Sequence, residues 1–230
     1  MDDPEREMTQ KCYGYGRWEA PYWFIGPEQG KGREEPDDNN RRLNAWLELG
    51  ADHLCDCKLF HMHIEDDSRH REMPPPSLQS TWRPLILLLM AFLGESTDRE
   101  NLRAYQRNHW GMQGNGQTCV IELSGLAARS LKAPMDHNQF RPERIEFIRQ
   151  RLQEHKPAFV VMHGLKDKKS WAEIAGRELN TGEPVKINTT TVVLTPHPVA
   201  HGMKSEYWKN MGEILRKRHF EPQPTKSPRA

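Results

Sequence analysis

Four short apolar runs do most to limit what this chain can fold into. They cover residues 22–25, 118–123, 158–163 and 190–194, and each stops at or near a glycine or a proline. Most are continuous rather than alternating, as in strands buried on both faces. Helical patterns lie between them, over 41–49 with Gly50 as the stop, 98–108, 141–155, 170–175 and 206–218. A further helix, 80–93, has Thr81 as N-cap, Pro84 in its first turn and Gly94 at its end. The alternation predicts an α/β fold, a three-layer α/β/α sandwich around a mostly parallel, roughly four-stranded sheet. Ligands of such sheets bind beyond the carboxyl ends of the strands. Gly26, Glu122–Ser124, His163–Gly164 and Pro196–His197 are therefore expected to frame the site.

A chain of 230 residues suits one domain, expected over 21–220. Residues 1–20 read as a flexible N-terminal arm and 221–230 as a disordered tail. No apolar run reaches the roughly 18 residues of a membrane span, and the acidic, polar start is not a signal peptide. Cys12, Cys55, Cys57 and Cys119 are read as reduced thiols, and the protein as a cytoplasmic monomer. The net charge of +1 conceals an asymmetry. Residues 141–230 hold 17 Lys+Arg against 10 Asp+Glu, and the remainder holds 16 against 22. A basic C-terminal part suits a polyanionic partner, although a solvated charged surface has the same composition.

Three segments could carry chemistry. In Gly26-Pro27-Glu28-Gln29-Gly30 a strand runs into a glycine-flanked loop, which lets backbone approach a flat ligand. A carboxylate there can act as a base or stabilise positive charge, and an ordinary polar turn is the plainer reading. In Thr195-Pro196-His197-Pro198 two prolines hold a histidine in an extended loop at a strand end. A neutral imidazole fixed there can donate to an oxyanion. Glu122 and Ser124 alternate onto one strand face, where a buried Glu needs a partner or a ligand. The strand could equally have reached solvent by that point.

This order of segments resembles the uracil-DNA glycosylase superfamily, from about Tyr22 to Arg218. The resemblance is specific in two motifs, a G-x-x-P-like first motif and an H-P second motif. It implies a monofunctional hydrolase that cleaves the N-glycosidic bond of uracil, or a related damaged or modified base, and so initiates base excision repair. Glu28 and His197 then fall in the catalytic positions, with His197 facing the O2 of the departing base. Gly26, Pro27, Gln29, Glu122 and Ser124 would line the base pocket. His201, Gly202, Met203 and Lys204 would meet DNA, His201 and Met203 as the wedge. The base-reading Asn of the family is absent, and Glu122 or Ser124 stands in its place. An ionised Glu only accepts, while a protonated one also donates, so base selectivity differs from that of an Asn. Trp46 is a candidate for stacking on the flipped base.

No cofactor and no metal are expected. Cys55-Asp56-Cys57 is too tight a pair for an iron–sulfur cluster, with Cys119 inside a predicted strand. The rival is a metal set of Cys55, Cys57, His61 and His63, all on one face if 57–64 is a strand, though C-x-C spacing suits zinc poorly. Two other functions stay open. One is a catalytically silent binder of uracil-containing or modified DNA, and the other is a hydrolase of free nucleotides or nucleosides. Residues 51–80 receive no role.

Overall fold

The computed structural model describes residues 3–28, 38–64, 70, 77–125 and 140–220. The fold is α/β, with a seven-stranded mixed sheet. In chain order the elements are α1 (Pro4–Lys11), β1 (Gly14–Gly16), β2 (Tyr22–Glu28), α2 (Asp38–Glu48), β3 (Leu54–Cys55), α3 (Cys57–His63), α4 (Trp82–Leu93) and α5 (Arg99–Asn108). There follow β4 (Thr118–Ser124), α6 (Arg141–His155), β5 (Phe159–His163), α7 (Lys168–Ala175), β6 (Val185–Ile187), β7 (Thr190–Thr195) and α8 (Ser205–Phe220). The strands lie in the order β3-β1-β4-β2-β5-β7-β6. β4, β2, β5 and β7 are mutually parallel, while β1 runs antiparallel to β4 and β6 antiparallel to β7. The sheet is thus larger than the four strands expected, and partly antiparallel. The added strands have only two or three residues, too few to show a hydrophobic period.

Each parallel strand is buried on both faces, and its side chains sort by parity. Phe24, Val120, Val161 and Val193 join one apolar cluster with α2, α3, α4, α5 and α8. Ile25, Ile121, Met162 and Leu194 join the other with α6 and α7. Helix α4 is apolar almost all round because it is enclosed on most sides, with Leu85, Ile86, Leu88 and Leu89 almost wholly buried. Each such side chain contributes about 1.5–3 kcal/mol relative to exposure. Gly94 ends α4 in the left-handed conformation, as its place after the apolar run suggests. Thr81 makes no side-chain cap; Gln79 Oε1 accepts from Trp82 N at 2.6 Å instead.

Two longer segments also depart from the sequence expectation. Residues 3–20 are not a loose arm, since α1 and β1 bury Met8, Cys12, Tyr13 and Tyr15. The tie is Arg144 on α6, which is 1% exposed. Its guanidinium donates to five main-chain carbonyls, those of Thr9, Gln10, Cys12, Glu122 and Leu123, at 2.7–3.1 Å. It also lies 4.1 Å over the Tyr13 ring. Secondly, 57–63 is a helix rather than a strand. Asp56 caps it by accepting from Lys58 N and Leu59 N, and the buried positions 57, 60, 61 and 64 follow a helical period. The expected tail, 221–230, lies outside the described residues. No described helix is long and apolar enough to cross a membrane.

Candidate active site

The four parallel strands end side by side. Chain connection runs from β2 outward to β4, then back across β2 to β5 and on to β7. The direction of winding therefore reverses between β2 and β5, and such a switch point opens a crevice at the carboxyl edge. Register aligns Gly26 with Glu122 and His163 with Thr195, one residue beyond the Ile25–Met162 pair. One row across the edge thus carries Glu122, Gly26, His163 and Thr195, all on the face shared with Phe24 and Val161.

Gly26 is a glycine because nothing else fits. A Cβ there would fall 2.5 Å from His163 Cε1, 2.8 Å from His163 Nε2 and 2.9 Å from Glu122 Oε2. An imidazole and a carboxylate from the two flanking strands therefore converge over its bare backbone. The turn after β5 is pinned as well. Gly164 N donates to Thr195 O at 3.1 Å, and Gly164 O accepts from Trp171 Nε1 at 2.7 Å. Pro27 lies against this turn, its ring carbons 3.5 Å from the position of a Gly164 Cβ.

The two histidines of the edge are held neutral. Burial pushes His163 down to about 3, with a further contribution from His197. His163 Nδ1 is buried with no hydrogen-bond partner among the described residues. His197, on the loop after β7, is also lowered by burial, and its ring meets that of His163 at a centroid distance of 5.3 Å. Val199 N donates to His197 Nδ1 at 3.4 Å. In the neutral ring the proton then sits on Nε2, which makes that atom a hydrogen-bond donor.

On the β4 side, Arg144 fixes the strand end. Its Nη2 donates to Glu122 O at 2.7 Å and its Nε to Leu123 O at 2.8 Å. Glu122 N in turn donates to Tyr13 O at 2.7 Å. The Glu122 carboxylate is thereby aimed by a rigid backbone, and its Oε2 is buried.

Of the residues expected in the site, Gly26, Pro27, Glu122, Ser124 and His197 all stand at this edge. Glu28 is the last residue of β2 and pairs in register with Ser124. Gln29 lies outside the described residues. In the last loop His201, Gly202 and Lys204 are exposed, whereas Met203 packs against the core and is no free wedge. Val199, on the same loop, is 53% exposed. Trp46 is fully buried with its Nε1 donating to Asp52 O at 2.8 Å, so no base stacks on it. His163 was legible only as a strand end, and its His-Gly step resembles many ordinary turns. Lys166, Lys168 and Lys169, exposed in the segment after β5, extend the charge that Lys204 provides after β7. No protein-family model matches the chain, and no curated protein matches its sequence.

Proposed function

We propose that the protein is a DNA glycosylase of the uracil-DNA glycosylase type, acting as a cytoplasmic monomer on uracil or a related base in DNA. The observation that carries this reading is the convergence of Glu122 and His163 on Gly26, with the His197 ring set against His163, at the switch point of the sheet. Departure of a base from a flipped nucleotide leaves positive charge on the sugar and negative charge on the base. A neutral imidazole with its proton on Nε2 suits the second charge, and His197 has that form. Glu28, at the end of the neighbouring strand, supplies the carboxylate for the first charge or for an attacking water. Bare backbone at Gly26 leaves the room in which His163 and Glu122 come together, and the Glu122 carboxylate reads the polar edge of the base. Exposed lysines in the segments after β5 and β7 hold phosphates.

The test is release of uracil, hypoxanthine, xanthine and hydroxymethyluracil from single- and double-stranded oligonucleotides, read as strand cleavage after alkali. His197→Ala and Glu28→Gln are each expected to slow release by about 10²–10³. Wild-type rates in both variants overturn the assignment. Retarded oligonucleotide with no cleavage by the wild-type protein identifies a silent binder of modified DNA instead.

A further inference from the structure

Away from the residues of that crevice, three soft or borderline ligands meet inside the protein. Cys57 opens α3 and His61 lies one turn on, so both occupy one helix face. His70 arrives from outside the helix. Cys57 Sγ is 3.6 Å from His61 Nδ1 and 4.0 Å from His70 Nε2, and one donor atom from each residue lies within 4.8 Å of the others. All three are buried, at 0%, 4% and 3% exposure. The rings of Tyr15 and Trp82 flank His61, and Trp82 also approaches His70.

We propose that Cys57, His61 and His70 form a structural site for a zinc-class divalent cation. A thiolate with two imidazoles is a donor set that zinc takes readily. Ligand atoms around a tetrahedral zinc stand about 3.3–3.8 Å apart, and one ligand atom from each of the three residues lies within 4.8 Å of the others, so small side-chain shifts bring them onto a cation. His61 Nδ1 lies 2.7 Å from Cys57 O; donating there, it leaves Nε2 as the lone pair for the metal. Metal-bound histidines are commonly fixed by such a second hydrogen bond. The set differs from one of Cys55, Cys57, His61 and His63 on a strand. The helix turns His63 toward Glu48, at 3.7 Å, while Cys55 shares a hydrogen bond with Cys12. Among the described residues no fourth Cys, His, Asp or Glu joins the three. The cation would tie α3 to residue 70, so that binding adds directly to folding stability.

The test uses the full chain, purified without chelators or metal-affinity steps. Elemental analysis is expected to find about one zinc per chain. Metal-free protein given cobalt(II) should develop a thiolate-to-cobalt charge-transfer band and tetrahedral d–d bands, and zinc should raise its Tm. Cys57→Ser should lose the charge-transfer band and Cys55→Ser should keep it. Should Cys57→Ser not fold, His70→Gln should fold, weaken cobalt binding and shrink the zinc-dependent shift in Tm. A folded wild-type protein with neither zinc nor a cobalt band overturns the proposal. So does a band that survives Cys57→Ser, equal cobalt binding by His70→Gln, or a native spectrum of copper or an iron–sulfur cluster.

Discussion

His163 and His197 meet edge to face, their ring centroids 5.3 Å apart, at the ends of two neighbouring parallel strands. One ring is buried in the sheet edge and the other rides on a loop, so the first is the surface against which the second is set. Neither tolerates a proton well in this position. Burial disfavours the charged form of both, and protonating one raises the cost of protonating the other.

A pH dependence of stability follows. Folding lowers the pKa of His163 from 6.5 to about 3. Above 6.5 the ring is neutral in both folded and unfolded chains, and nothing is lost. As pH falls from 6.5 toward 3, the unfolded chain takes up a proton that the folded chain refuses, and stability declines. His53, His197 and His219 are lowered too and act in the same direction. Urea-unfolding midpoints measured between about pH 7 and pH 4 should fall less steeply in His163→Gln than in the wild type. Parallel curves would contradict the placement of His163.

Gly26→Ala should damage the site without any change of charge. The added methyl group would fall within 3.0 Å of the buried His163 ring and the Glu122 carboxylate, so both must shift. A cost of about 1–3 kcal/mol is expected from overpacking. On the proposed function, base release should fall further than stability alone accounts for, because both displaced groups belong to the proposed base site. Thermal unfolding and single-turnover release, measured on the same variant, check this.

Arg144→Met should be among the most destabilising single changes in the protein. It leaves five main-chain carbonyls without their shared donor and frees α1 from β4. Each buried carbonyl left without its donor costs about 1–3 kcal/mol, so the total should reach several kcal/mol. Limited proteolysis should then cut within 3–12 before the rest of the domain. An unaltered digestion pattern would show that α1 is held by other contacts.

On the proposed function, the exposed lysines after β5 and β7 predict a salt-sensitive encounter with DNA. Affinity should fall as salt rises, and Lys166→Gln, Lys169→Gln or Lys204→Gln should each reduce the slope of log K against log salt by about 1 if it contacts a phosphate. Titrations of a labelled oligonucleotide at several salt concentrations provide the measurement. Affinity that ignores salt rules out phosphate contacts by these side chains.

Sequence periodicity identified the long elements well because local burial dictates them. The runs that became β2, β4, β5 and β7 needed two apolar faces, and α6 carries its own 3.6-residue stripe. Short elements escaped. Gly14 and Gly16 make β1 look like a turn, yet a Cβ at either would meet a β4 carbonyl oxygen at 2.2 Å. That constraint exists only once β4 lies alongside. Residues 57–63 read as alternating until Asp56 is seen to cap a helix.

The amino-acid order alone determined which strands would end in glycine, histidine or proline, and hence which loops could hold a ligand. Such preferences act over a few residues, through backbone sterics and the period of burial. Only tertiary structure decided that Glu122 and His163 share the space above Gly26, that Arg144 anchors the N-terminal segment, and that His70 joins Cys57 and His61. Those contacts join residues from 9 to 137 positions apart, and no local rule encodes them. They arise when the sheet closes, because burying polar groups together costs less than leaving each without a partner.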